Sequence, residues 1–292
     1  GIRDPLWSRG LGDVYKRQFI CCRHDNDKNS SQWRDFVEFR EGNIPLIIVA
    51  PHGGDLKPQW IENRDCKGSV ITKDLYTLDI AFQVENELKN NGYQPYIVYA
   101  KIHRIKLDLN RSLETSHCED DTSNELWQLF HDQIFNYRQE IISKFNRGLL
   151  IDFHGHGHPI QRIELGYLLK SDMLRELSND VSVVPYSETS ISSLIENHPK
   201  NKQLGDLLFG ESALGSLLSK NGFPTVPSSK DRAPKSGEPF FSGGTNTRKY
   251  GSKYQNGVDA IQLELNRNGL RQDIEDRERF SKVFAKILID YM

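Results

Sequence analysis

The chain has 292 residues, with 38 Lys and Arg against 40 Asp and Glu, a formal net charge of -2 and 37% hydrophobic residues. Dispersed basic residues and a near-balanced charge leave no global field to draw in nucleic acid or an anionic membrane surface. No apolar stretch approaches the roughly 20 residues needed to span a bilayer.

Residues 1–18 show no periodicity and resemble a translated sequencing adapter more than a natural leader. They are expected to be non-native and without order, so the native amino terminus and any signal peptide on it are expected to be missing. Residues 19–34 read as a polar amino-terminal segment and 35–292 as one domain. The compartment stays open, with the cytoplasm favoured. The four cysteines, Cys21, Cys22, Cys66 and Cys118, lack the paired spacing of a structural zinc site. Free thiols are the expectation, with a Cys66–Cys118 bond the alternative in an oxidising compartment.

Alternation at Phe36–Arg40 predicts a strand, and Gly42-Asn43 a turn that makes a hairpin with the apolar run Ile44–Ala50. Apolar residues from Leu75 to Leu88 recur at helical spacing, which predicts a helix over 72–91 with Thr72 as its cap and Gly92 as its stop. Tyr96–Tyr99 is strand-like, 123–147 is a long amphipathic helix, and 149–153 is a buried strand. Further along, 163–169 reads as a strand, 204–221 as a helix, 223–226 as a short strand, 258–265 as a strand and 273–292 as a helix. Residues 230–254, rich in Gly, Pro, Ser and Asn, read as a long functional or disordered loop. Strands alternating with helices predict an α/β fold: a mixed, largely parallel central sheet flanked by helices.

Two strands end in histidine. Ile44–Pro51 leads into His52-Gly-Gly-Asp55, and Leu149–Phe153 leads into His154-Gly-His156-Gly-His158. Imidazoles at the carboxyl edge of a sheet, with a carboxylate three residues on, fit a hydrolytic zinc held by His52, Asp55 and His154, the fourth position being left to water. Glu62 is the substitute carboxylate. His156 falls to a substrate-facing or supporting place, and His158, before Pro159, to the surface. Asp152 shares the strand face of His154 and could orient its ring.

Asn110 and Arg111 have the donor fork that holds a substrate carboxylate, and Arg104 could stabilise an oxyanion; pairing of Arg111 with Glu114 is the plainer alternative. Glu264 lies inside an apolar strand, where a carboxylate needs a partner, and a general base beside a metal-activated water is such a role. Pairing with Arg267 is the structural alternative. Gly243-Gly244, Asn246 and Thr247 suggest close backbone approach to a ligand.

Pro51-His-Gly-Gly-Asp55, Asp74-Leu-Tyr-Thr77, Asp108-Leu-Asn-Arg111, Ile151-Asp-Phe-His-Gly-His-Gly157, Gly243-Gly-Thr-Asn-Thr247 with Tyr250-Gly251, and Gln262-Leu-Glu-Leu-Asn-Arg267 occur in an order that resembles the N-formylglutamate amidohydrolase-like family. That family looks related to the zinc carboxypeptidase and aspartoacylase group. The resemblance runs from about Phe36 to the end. It implies a zinc carboxypeptidase-like, phosphorylase/hydrolase-like fold and one zinc ion on His52, Asp55 and His154. It also implies Asn110 and Arg111 on a substrate carboxylate and Glu264 as general base. In two places the chain departs from the pattern: Asp55 stands where the carboxypeptidase motif has Glu, and Arg104 only near the place of the oxyanion arginine.

The expected activity is hydrolysis of the amide of an N-acylated amino acid, a small molecule with a carboxylate. The rival reading is a non-catalytic protein that keeps the pocket for an acidic metabolite or peptide. A two-metal phosphoesterase is disfavoured by too few carboxylates.

Overall fold

Leu46–Ala50, Tyr96–Ala100 and the apolar part of Gly148–Gly155 have the composition of strands covered on both faces. In the computed structural model, which describes residues 33–118, 120–180, 182, 184–196 and 202–291, they lie side by side in a seven-stranded sheet of order β1-β3-β2-β4-β7-β5-β6. The strands are β1 (Val37–Arg40), β2 (Leu46–Ala50), β3 (Tyr96–Ala100), β4 (Gly148–Gly155), β5 (Ile163–Gly166), β6 (Thr225–Val226) and β7 (Val258–Leu265). Pairing is parallel for β2 with β3 and β4, β4 with β7, and β5 with β6; β1 with β3 and β5 with β7 are antiparallel. The helices are α1 (Thr77–Asn90), α2 (Leu113–Ser116), α3 (Asn124–Phe145), α4 (Ser171–Asn179), α5 (Ser192–Glu196), α6 (Leu204–Phe209), α7 (Leu214–Lys220), α8 (Thr245–Tyr250) and α9 (Ile274–Tyr291).

Side-chain alternation sorts the core into two layers. Leu46, Ile48, Ile97, Tyr99, Ile151, Phe153, Ile261 and Leu263 pack against α1 and α9. Ile47, Val49, Val98, Leu150 and Ala260 pack against Leu126, Phe130 and Ile134 of α3. The crossover from β2 to β3 therefore uses one face of the sheet and the return from β3 to β4 uses the other. Between β2 and β4 the strand order reverses, and an open α/β sheet leaves its crevice at such a point, outside the carboxyl ends of the strands. On the α3 face those ends also change character. Along β4 the sequence of inward positions is Leu150, Asp152, His154, and along β7 it is Ala260, Gln262, Glu264, with His154 directly beside Glu264.

Four local expectations are corrected. No hairpin joins β1 to β2; β1 crosses over to pair with β3, Val37 opposite Ala100. The first helix starts at Thr77, not Thr72, because Tyr76 takes a left-handed φ of 65° and the Asp74 carbonyl accepts from the Thr77 hydroxyl, so residues 75–76 form a turn ahead of it. The helix expected over 204–221 is two. Gln203 and Asp206 cap the start of α6, and extended backbone at Gly210 ends it before α7. The polar stretch 230–254 contains α8, whose Asn246, Thr247 and Tyr250 are buried.

Cys66 and Cys118 form a disulfide, with an S–S distance of 2.09 Å and Cα atoms 5.6 Å apart, which replaces the free-thiol reading for these two. Cys21-Cys22 and the leader lie outside the described residues. Closing a loop of 52 residues restricts the unfolded chain by about 4 kcal/mol. Cys118→Ser is therefore expected to lower the thermal midpoint by several degrees relative to the oxidised protein; equal midpoints would show that the bond contributes nothing.

Asp259 is buried on β7, where it accepts from Ser252 Oγ at 2.5 Å, yet burial outweighs its donors, Ser252 and the backbone N–H groups of Leu194 and Ser193, and raises its pKa from 3.8 to about 6. Between those values the folded chain holds a proton that the unfolded chain has lost, so stability falls as pH rises from about 4 to about 6, by roughly 3 kcal/mol. Asp259→Asn is expected to flatten that part of the pH–stability curve, measured by denaturant unfolding; an unaltered slope would remove Asp259 as its source.

Candidate metal centre

His52 follows β2 and His154 closes β4, so adjacent parallel strands bring the two imidazoles together, Nδ1 to Nδ1 at 3.1 Å. The carboxylate that joins them is Asp74. Its Oδ2 lies 3.2 Å from His154 Nδ1 and 3.5 Å from His52 Nδ1, and all three side chains are buried. The backbone places it there: Asp74 N–H donates to the His52 carbonyl at 3.0 Å, and Gly155 N–H donates to Asp74 Oδ2 at 3.1 Å.

Protons can be assigned around this group. His52 Nε2 faces Asp108 Oδ1 at 2.7 Å, and a carboxylate only accepts, so Nε2 carries the hydrogen and Nδ1 turns a lone pair inward. His154 Nε2 has Asp152 Oδ2 at 3.0 Å and Asn110 Nδ2 at 3.2 Å. Burial opposes a charge on His154, but Asp152, Asp74 and Glu264 overcome it and raise its pKa well above the ordinary value. Burial likewise opposes the Asp74 charge, and the two histidines hold its pKa well below the carboxylate range. The centre therefore demands positive charge among His52, His154 and Asp74.

A proton on His154 Nδ1 meets part of that demand, and a divalent cation meets more. Ligands at about 2.05 Å around a tetrahedral ion stand about 3.3 Å apart; the three separations here are 3.1, 3.2 and 3.5 Å. Two imidazoles and one carboxylate, with His52 backed by buried Asp108, are the donor set and the outer support that zinc takes. The residues fit the ion.

Asp55 is not brought to the pair. Gly54 is pressed against the Lys101 backbone, and Leu56 bridges to Ile102, so the chain runs on as extended backbone beside β3 and carries Asp55 outward. Its side chain is 76% exposed and ion-paired with Lys73. Asp74 stands in the place expected for Asp55. Glu62 lines a cavity with Cys66, Lys106 and His117, to which neither histidine contributes.

Arg104 donates from Nε to Asp108 Oδ2 at 2.9 Å and holds Nη1 3.6 Å from Asp74 Oδ1, so it borders the centre. Arg111 lies 3.8 Å from Asp108, is 46% exposed and is free to meet a solvent-borne anion. Asn110 is turned inward. Nδ2 lies 3.2 Å from His154 Nε2 and Oδ1 accepts from Asn246 N–H at 2.8 Å, so the amide packs within the protein instead of presenting a fork to solvent. Asn246 and Thr247 are fully buried, and their side-chain polar atoms have no hydrogen-bond partner among the described residues. The close approach expected at Gly243-Gly244 is made to the protein itself: a Cβ at Gly244 would stand 2.4 Å from Asn110 Nδ2 and 2.8 Å from Gln262 Oε1. His156 does not face the centre either. Its Nε2 donates to the Arg162 carbonyl at 2.8 Å and its Nδ1 accepts from His158 N–H at 3.1 Å, so both ring nitrogens are used by backbone.

Glu264 is buried, accepts from Gln262 Nε2 at 2.8 Å, and sits beside His154 across the β4–β7 ladder. Burial, with Asp74, Glu164 and Asp152 adding to it and His154 opposing, raises its pKa well above the carboxylate range. Arg271, absent from the expected set, ties the surrounding backbone together, donating to the carbonyls of Leu75 at 2.6 Å, His156 at 2.8 Å and Leu265 at 3.0 Å.

The mixed α/β sheet has counterparts in fold among solved structures. An N-formylglutamate amidohydrolase from Ralstonia eutropha aligns over 87% of this chain and 96% of its own, at 11% identity and a TM-score of 0.56. A gene product of Agrobacterium tumefaciens aligns over 90% of this chain and 97% of its own, at 13% identity and a TM-score of 0.52. The likeness is one of fold. No protein-family model and no curated protein matches the sequence.

Proposed function

We propose that the protein is a zinc-dependent amidohydrolase that cleaves the amide of an N-acylated amino acid or a related carboxylate-bearing substrate. The convergence of three buried acceptors, His52 Nδ1, His154 Nδ1 and Asp74 Oδ2, at tetrahedral ligand spacing carries this reading. Glu264 beside them and the fold shared with an N-formylglutamate amidohydrolase support it.

A zinc ion held there would supply a Lewis acid for the amide carbonyl and lower the pKa of a water. The chain's own residues do the rest. Glu264, whose burial favours its protonated form, would be a carboxylate beside a bound divalent ion, and in that form it takes up a proton from the attacking water and delivers it to the leaving nitrogen. Arg104 offers its guanidinium at the edge of the centre to negative charge developing on the carbonyl oxygen. Arg111, half-exposed, holds the substrate carboxylate. Asp108 keeps His52 in the tautomer that turns Nδ1 inward.

Purified protein is expected to carry about one zinc per chain and, when assayed on N-formyl, N-acetyl and γ-glutamyl amino acids, to lose hydrolysis with the metal on chelation. Hydrolysis unaffected by complete metal removal would overturn the mechanism. Stoichiometric zinc without turnover of any such substrate would leave a binding protein.

A further inference from the structure

Along the carboxyl edge of the sheet, His154 on β4, Glu264 on β7 and Glu164 on β5 stand in direct cross-strand register. Glu164 is fully buried opposite another carboxylate, an expensive position unless its oxygens are paired. One oxygen accepts from His158 Nδ1 at 2.8 Å and the other from Phe241 N–H at 2.7 Å. Glu164 thus holds the His158 ring directly and Phe241 by its backbone, and neither ring is buried by the fold. Phe241 is 43% exposed and the His158 side chain 19%. Their rings stack, centroids 4.6 Å apart and planes at 17°.

His158 is fixed at every other point. Its N–H donates to His156 Nδ1, and its carbonyl accepts from Gln161 Nε2 at 2.9 Å. With Nδ1 engaged by Glu164, the free ring atom is Nε2, which has no partner among the described residues and is open to solvent. A buried carboxylate spent on holding an open imidazole against an open phenyl ring describes a preorganised recognition surface.

Its place in the strand order gives it a substrate end. Arg111 stands by Asp108, the partner of His52 after β2, on one side of the centre, and His158 is held by Glu164 of β5 on the other, a strand two spacings or about 10 Å from β4. With the carboxylate at Arg111 and the scissile amide at the centre, the acyl group points toward His158. A formyl group has one carbon and leaves that distance unfilled.

We propose that His158 and Phe241 form the acyl-end subsite and that the substrates are peptide-like N-acyl amino acids, whose acyl group carries a further amide several atoms beyond the scissile carbonyl. The carbonyl of the further amide accepts from Nε2–H of His158, and the chain next to it packs on the open face of Phe241. This rests on the amidohydrolase reading above.

The test compares N-formylglutamate, N-acetylglutamate and N-acetylglycylglutamate with the zinc-loaded enzyme. Wild type is expected to favour the last over the first by about tenfold or more in kcat/KM, the worth of one hydrogen bond. His158→Gln and Phe241→Leu are each expected to lower that preference several-fold, chiefly through KM. Phe241 is exposed, so its variant keeps the test open should His158→Gln disturb the turn. Turnover that favours N-formylglutamate, or an unaltered preference in both variants, overturns the subsite and leaves the hydrolase standing. Turnover of none of the three overturns both.

Discussion

Asp74→Asn is expected to lose stoichiometric zinc, whereas Asp55→Asn keeps it. Asp74 Oδ2 is within 3.5 Å of both inward imidazole nitrogens, and its burial makes the negative charge available to little else. An amide in its place offers a weaker oxygen or a donor aimed at acceptors, and the like-shaped side chain holds the turn before α1. Removing a partner that only orients a ligand costs up to about a hundredfold in metal affinity; removing the ligand itself should cost more. Asp55 meets solvent and Lys73, so its amide variant should keep the wild-type zinc content and thermal midpoint. Metal analysis after dialysis against a weak chelator separates the two, without recourse to any substrate. Retention of zinc by Asp74→Asn and its loss from Asp55→Asn would restore the spacing-based ligand set and discard the one built here.

Glu264→Gln should lower kcat by about a hundred- to ten-thousand-fold, the range for removal of a positioned acid–base group, while zinc remains bound. Gln keeps the volume and the acceptor that faces Gln262 Nε2. It also removes one of several neighbouring carboxylates, since Asp74, Asp152 and Glu164 all disfavour the charge on Glu264. The variant should therefore unfold at a temperature equal to or above that of wild type, which distinguishes lost chemistry from lost structure. Undiminished turnover would remove Glu264 from the reaction.

Most of the sheet was legible because its signal is local. The runs at 46–50 and 96–100 are apolar without interruption, and those at 148–155 and 258–265 are apolar apart from Asp152, His154, Asp259, Gln262 and Glu264, a density that strands buried on both faces need. His52 and His154 were legible for the same reason, since each follows directly on such a run. Asp74 was not. It stands in the loop ahead of α1, 22 residues from His52 in number but joined to it by one backbone hydrogen bond, and such a contact leaves no trace in spacing. Asp55 drew attention by proximity in sequence, which says nothing of the direction taken by an extended chain after Gly53-Gly54. Asn110 and His156 were misread for a related reason. Their residue types suit a ligand, but the backbone of Asn246 and the carbonyl of Arg162 reach them first. The pairing of β1 with β3 instead of β2 is likewise a long-range choice that the turn at Gly42-Asn43 does not encode.

The position of β7 bears on how the molecule comes into being. It is the last in sequence of the described strands, made after β5 and β6, yet it fills the gap between β4 and β5. Until Val258–Leu265 is synthesised, both neighbours expose a bare edge of unpaired amides and carbonyls, the kind of surface that invites association with other chains. A nascent or clipped polypeptide ending before that point would thus be sticky as well as inert. Production at low temperature, where apolar association is weaker, should favour soluble material.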